Sequence, residues 1–374
     1  MPTDSKIKLL DLFAGVGGLS YGFSQNQNFK IVAANEILPA MAKAYSLNHP
    51  SVPIYQRDIA EFSAEDLSQD LGIKSGEIDV IIGGPPCQAF STVGKRNSDD
   101  PRARLFNQYF RLLTEINPKL FIFENVKGLE SMDQGKLLTN IIELFESIGY
   151  KVQYRILNAA DYGVPQIRER LIIVGSKLNT QFTYPDSTHG ESQKSESLFD
   201  TKKLSYLTLS DAIGDLPLIA SGEESDHYRT AAQNPYQIKM RESAPTKLSD
   251  HNAPKNNPQL IRLMEALPDG GSPEDLPPEL RPSSGFKNTY SRLWWDRPSP
   301  TITRNLSTPS SSRCIHPRVA RPLTTREGAR LQSFPDSYQF YGSRGDRNLQ
   351  IGNAVPPLLS QALADSILSN IIKG

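Results

Sequence analysis

The sequence predicts an α/β protein built on a doubly wound, mostly parallel sheet, with a second, smaller and irregular domain following it in the chain. Three observations carry that expectation. Short apolar runs alternate with helical periods along the first half of the chain. Polar or special residues follow the apolar runs directly, at residues 14–18, Glu36, Asp58, Pro85-Pro86-Cys87 and Glu124. In open α/β sheets, ligands bind beyond the carboxyl ends of the strands. Near residue 180 the character changes to stretches rich in Ser, Pro, Asn and Asp.

Taken in order, residues 7–14 read as a buried strand that runs into the glycine turn Gly15-Val16-Gly17-Gly18, with a helix over 19–25. A second strand covers 29–34 and a helix 38–48. Residues 54–55 and the apolar runs 78–82 and 119–123 are three further strands, each too short and too apolar for an exposed helix. A helix is expected over 135–149, with strands at 154–158 and 171–175. Segments 204–218 and 260–267 suggest short ordered pieces of the irregular region, and the helix 357–372 is expected to return to the first domain. The expected division is 1–185, 186–340 and 341–374.

Composition narrows the class. Apolar residues make up 38% and charged residues 22% of 374, ordinary for a globular chain. No run approaches the roughly 20 apolar residues of a membrane span, and MPTDSKIKLL lacks the apolar core of a secretory signal. With only Cys87 and Cys314, neither a disulfide framework nor a four-cysteine zinc site is expected, and the cytoplasm is the natural compartment. No metal is called for. The net charge is zero, yet Arg281–Gln350 holds eleven arginines and one lysine against three aspartates and one glutamate. That local excess suggests a face that meets phosphates.

Two stretches carry chemistry. The glycine turn lets backbone approach a ligand closely. Its G-x-G-G spacing differs from the G-x-G-x-x-G of dinucleotide sites and favours a carboxylate over a pyrophosphate. Glu36 can accept hydrogen bonds from ribose hydroxyls, and Asp58 from an exocyclic amine. The second stretch is Gly83-Gly84-Pro85-Pro86-Cys87-Gln88. A free cysteine is usually a small buried hydrophobe, but two prolines before it aim this one outward. Its thiolate is the active form, and Lys95, Arg96, Arg102 and Arg104 in the following loop favour it. Glu124 ends another strand, where desolvation favours a shared proton. Arg168 and Arg170 project to one face if their segment is extended. Trp294 and Trp295 read as core residues more than as base-stacking ones.

These motifs, in this order, resemble the cytosine-5 DNA methyltransferase family. The match lies in DLFAGVGG (11–18), NE (35–36), RDI (57–59), GGPPCQAFS (83–91), ENV (124–126), QIRER (166–170), RPSPTITR (297–304) and GNAVPP (352–357). The resemblance implies the S-adenosylmethionine-dependent methyltransferase fold and methylation of cytosine C5. Phe13, Gly15, Gly17, Glu36, Asp58, Pro86 and Asn353 would hold S-adenosylmethionine, leaving S-adenosylhomocysteine as product. Cys87 would add to C6 of a flipped-out cytosine. Glu124 would hold N3 and the exocyclic amine, and Arg168 and Arg170 would support O2 and orient the carboxylate. The resemblance further implies duplex DNA as partner, a monomer, and a prokaryotic restriction–modification role beside an endonuclease of the same specificity. A transfer-RNA cytosine methyltransferase and a non-catalytic DNA-binding regulator are the alternatives.

Overall fold

The computed structural model describes residues 6–86, 103–191, 203–283 and 288–373. Cys87 and the segment after it, including Lys95, Arg96 and Arg102, lie outside the described residues. The chain divides into two compact units. One comprises residues 1–158, 169–186 and 359–374; the other comprises 159–168 and 187–358.

The first unit is a seven-stranded sheet. Its strands are β1 (Ile7–Leu12), β2 (Phe29–Asn35), β3 (Ile54–Tyr55), β4 (Val80–Gly83), β5 (Leu120–Val126), β6 (Lys151–Asn158) and β7 (Glu169–Ser176). The spatial order is β3-β2-β1-β4-β5-β7-β6. The first five run parallel, and β7 enters antiparallel between β5 and β6. That inversion brings the start of β7 to the carboxyl end of β5, so Arg170 pairs with Val126 in register.

The helices α1 (Gly18–Ser24), α2 (Pro39–Asn48), α3 (Ala64–Leu71), α4 (Ala103–Ile116) and α5 (Lys136–Ser147) follow the strands. In α4, Phe106, Tyr109, Leu112, Leu113 and Ile116 recur at helical spacing and are fully or almost fully buried. They share one core with Phe121, Phe123 and Phe145. The Tyr109 hydroxyl donates to the Ile122 carbonyl at 2.9 Å, which satisfies a polar atom in that core.

The second unit holds short helices: α6 (Leu209–Ile213), α7 (Pro235–Met240), α8 (Pro258–Ala266), α9 (Thr325–Leu331) and α10 (Arg344–Asn353). Several open on capping boxes, as in Thr208 with Asp211, Thr324 with Glu327, and Ser343 with Asp346. Buried arginines are set among the apolar core side chains here. Arg321, Arg326 and Arg330 are fully buried. Arg321 grips Glu327 through two bonds of 2.8 and 2.7 Å, and Arg330 grips Asp336 at 2.6 Å. Arg292 is buried too, with its guanidinium on the carbonyls of Met264, His316 and Pro317.

Two expectations change. Four of the eleven arginines between 281 and 350 are interior struts, so the local charge excess is not all a phosphate-facing surface; Arg281, Arg297, Arg304 and Arg318 are exposed. The return to the sheet unit also begins later than residue 341. Helix α10 belongs to the second unit, where Thr325 donates to Asn348 at 2.9 Å. In α11 (Pro357–Lys373), residues from Leu359 onward join the sheet unit. There Ser360 packs directly against Gly22 of α1, where any Cβ would collide at 2.4 Å. Asn370 accepts from the Thr183 amide at 2.9 Å.

Candidate active site and cofactor cleft

Beyond β1 the backbone turns on three left-handed residues, Phe13 (φ 57°), Gly15 (φ 57°) and Gly17 (φ 91°). Gly17 needs to be glycine on two counts. Its φ is one that side chains rarely adopt, and a Cβ there would meet His49 Nε2 at 2.8 Å and Tyr45 Cδ2 at 2.9 Å. At Gly15 a Cβ would meet nothing within 4 Å, so this part of the turn faces open space. Glu36, just past β2, ties the two strand ends together. One carboxylate oxygen accepts from the Gly15 amide and the other from the Leu38 amide, both at 2.8 Å. Burial raises the Glu36 pKa, while the amides of Leu38, Gly15 and Ile37 hold it back. Asp58 caps the short helix Ile59–Glu61 by accepting from Ala60 at 2.9 Å. A turn with open backbone, an acidic strand end and a second carboxylate beyond β3 suits a ligand with a ribose and an amine.

A buried polar chain underlies that turn, and the motif reading did not single it out. The Ser20 hydroxyl donates to Asp11 at 2.6 Å and lies 2.9 Å from the Tyr45 hydroxyl. Tyr45 in turn stacks on His49 at 4.5 Å between ring centroids. Burial pushes the Asp11 carboxyl up to about 7, against the Ser20 hydrogen bond, with Glu36 adding to the rise. Burial holds His49 down to about 4. The i, i+4 spacing of Tyr45 and His49 on α2 was a visible signal that they share a face.

The second site lies where β4, β5 and β7 meet. Glu124 and Arg170 form an ion pair, Nε to Oε1 at 2.9 Å, with both side chains largely buried (13% and 12% exposed). Gly84 follows β4, and a methyl group on it would come within 2.7 Å of Glu124 Oε2. The buried Asn125 amide donates to the Pro85 carbonyl at 3.1 Å and so fixes the Pro85-Pro86 corner, with Pro86 exposed. The segment leading to Cys87 is therefore held against the strand end that carries Glu124.

Arg168 departs from expectation. It is buried, and its guanidinium donates to the carbonyls of Ile302, Gly352 and Ala354, each at 2.9 Å. Its partners differ from those of Arg170, which pairs with Glu124. The reason is the neighbouring backbone: Ile167 donates to Ser299 at 2.8 Å, and the Gln166 side chain accepts from the Ile302 amide at 2.8 Å. The motifs 166–168, 297–304 and 352–354 thus form one hydrogen-bonded frame within the second unit. In that frame Gly352 is pressed so close to Thr303 and Arg304 that a Cβ would overlap their backbone. Asn353 is exposed at the end of α10. Trp294 and Trp295 are half-buried instead of core, with Arg313 and Arg297 over the first ring and Arg318 over the second.

Among the described residues, no helix is long and apolar enough to cross a membrane. Comparison with known proteins agrees with the geometry. The family model described as C-5 cytosine-specific DNA methylase matches residues 7–369. The Type II methyltransferase M.DdeI of Desulfomicrobium norvegicum is 39% identical, over 96% of this chain and 88% of that protein. M1.HphI of Haemophilus parahaemolyticus, also a Type II methyltransferase, is 36% identical over 96% of this chain and 86% of its own length. The crystal structure of a prophage-encoded DNA modification methyltransferase from E. coli superposes with a TM-score of 0.77 at 25% identity, over 98% of this chain and all of that one. S. pombe Dnmt2, at 19% identity and a TM-score of 0.61 over 99% of this chain and all of that one, shares the fold. With a methyltransferase sheet and a match over nearly its whole length, the chain belongs to the C-5 cytosine-specific DNA methylase family and is a DNA cytosine methyltransferase.

Proposed function

We propose that Cys87 attacks C6 of a cytosine swung out of a specific short duplex site, and that Glu124, oriented by Arg170, stabilises the charge that results. The sulfur lone pair forms the S–C6 bond as the C5=C6 double bond opens and C5 becomes nucleophilic. Glu124 holds N3 and the exocyclic amine, where the displaced charge gathers. After transfer, loss of the C5 proton regenerates the double bond and expels the sulfur. The cytosine has to leave the stack because C5 and C6 are unreachable inside it. The observation that supports this reading best is the approach of Gly84 to Glu124 within one unit, since Cys87 stands three residues further along the chain.

S-adenosylmethionine supplies an electrophilic methyl on a sulfonium. In this reading Gly15 and Gly17 present backbone to it, Glu36 takes the ribose hydroxyls and Asp58 the adenine amine, with Phe13 and Pro86 completing the pocket within the sheet unit. The cradle at Gly17 and the open face of Gly15 fit such a ligand. Residues of the second unit would read base edges, and its exposed arginines would meet phosphates. The Type II relatives favour a modification enzyme; in this reading it acts as a monomer in the prokaryotic cytoplasm and protects sites cut by a companion endonuclease. Bisulfite sequencing of DNA from cells expressing the chain tests the reading. A single short motif protected at one cytosine supports it; methyl transfer to transfer RNA with none to duplex DNA contradicts it.

A further inference from the structure

We propose that the buried chain Asp11–Ser20–Tyr45 is an electrostatic counterweight beneath the glycine turn, which makes the pocket discriminate the cationic methyl donor from its neutral demethylated product. The inference rests on the assignment of S-adenosylmethionine to that turn. Asp11 is 1% exposed on the strand that ends in the turn. Its carboxylate accepts from Ser20 in the first turns of α1, and Ser20 lies in hydrogen-bond reach of the Tyr45 hydroxyl on α2. Among the described residues no arginine or lysine pairs with Asp11. A carboxylate in such a place is costly unless a positive charge lies nearby. The donor carries one more positive charge than the product, so binding the donor compensates Asp11 and binding the product does not.

The ionisable groups facing this cluster are few. Glu36 approaches from the end of β2, Tyr45 and His49 from α2, and Tyr109 from α4. Burial keeps both phenols protonated and His49 neutral across the working range. Asp11, pushed to about 7, is left to titrate, beside Glu36, which burial also raises. The discrimination therefore grows as pH rises and Asp11 gains its charge.

Isothermal titration calorimetry on the full chain would measure Kd for S-adenosylmethionine and S-adenosylhomocysteine from about pH 6 to about pH 8.5. In the wild type the ratio of product Kd to donor Kd should rise by roughly tenfold over that range. Asp11→Asn should flatten the ratio at its low-pH value while leaving the product Kd nearly unchanged, which also reports that the pocket is folded. Tyr45→Phe removes one hydroxyl from the chain and should move the midpoint of the rise to higher pH. A flat ratio in the wild type overturns the proposal. So does a rise that persists in Asp11→Asn, or, if that variant fails to fold, a midpoint that Tyr45→Phe leaves in place. Glu36→Gln separates the underlying assignment: if it binds both ligands as the wild type does, the pocket itself has been misplaced.

Discussion

Arg170 Nε stands 2.9 Å from Glu124 Oε1, and the pair is largely withdrawn from water. The contact follows from topology, because β7 runs antiparallel to β5 and delivers its first residues to the end of β5 that carries Glu124. Arg170→Ala should leave a nearly buried carboxylate without its cation. We expect kcat to fall about a hundredfold with little change in the Kd of S-adenosylmethionine. Arg170→Lys keeps the charge but not the guanidinium geometry, and should recover only part of that loss in single-turnover assays.

Gly84→Ala probes the same carboxylate from the β4 side. The added methyl would sit 2.7 Å from Glu124 Oε2, closer than a Cβ tolerates, so Glu124 must move. The expected result is a loss of kcat of roughly tenfold or more with the thermal unfolding midpoint shifted by only a few degrees. Unchanged single-turnover rates would mean the position of Glu124 is not critical.

Arg168 should behave as a strut. Truncation to Ala removes the guanidinium from three buried carbonyls, of which Ala354 keeps a longer bond from Gln332, at a cost of about 3 kcal/mol or more. Differential scanning calorimetry should show Tm lower by roughly 6–12 °C, and the protein still folded at low temperature should retain more activity than Arg170→Ala.

At the glycine turn, Gly17→Ala combines a left-handed φ of 91° with a clash against His49. Strain of about 1–3 kcal/mol is expected. The affinity for S-adenosylmethionine should drop at least about tenfold by calorimetry, with duplex DNA binding preserved.

Acid should destabilise the fold. Burial depresses His49 to about 4 and His316 to about 3, so in the folded state both stay neutral below the ordinary histidine pKa of 6.5. Unfolded, each takes a proton as pH falls below about 6.5, so stability present above that pH is lost toward pH 4. Asp11 works in the opposite sense, because its raised pKa adds stability as pH falls from about 7. His251 and His189, also lowered by burial, add to this loss, while Glu36, also raised, opposes it; the imidazoles outnumber the carboxyls, and urea midpoints should decline between about pH 6.5 and about pH 4. Asp11→Asn should steepen that decline.

Much of the sheet was legible in the sequence because parallel strands buried on both faces are near-continuous apolar runs, as 80–82 and 120–123 show. The polar residues beyond those strands were legible for the same reason: they interrupt the run where the chain leaves the core. Helix α4 left an equally clear period in Phe106, Tyr109, Leu112, Leu113 and Ile116, obscured by the polar sequence that precedes it. The different fates of Arg168 and Arg170 were not legible. Their i, i+2 spacing predicts one face only if the strand includes both, and β7 begins at Glu169. The interior arginines of the second unit were hidden likewise, since a charged side chain shows its burial only when its carbonyl and carboxylate partners, often a hundred residues away, are in place.

The most direct measurement offers the enzyme, with S-adenosylmethionine, a duplex carrying 5-fluorocytosine at the methylated position. Fluorine cannot leave as the C5 proton does, so a Cys87 adduct should persist as a complex stable to denaturing electrophoresis. Cys87→Ser should give none. An equal yield of that complex from Cys87→Ser, or its absence from the active wild type, would contradict nucleophilic attack by Cys87.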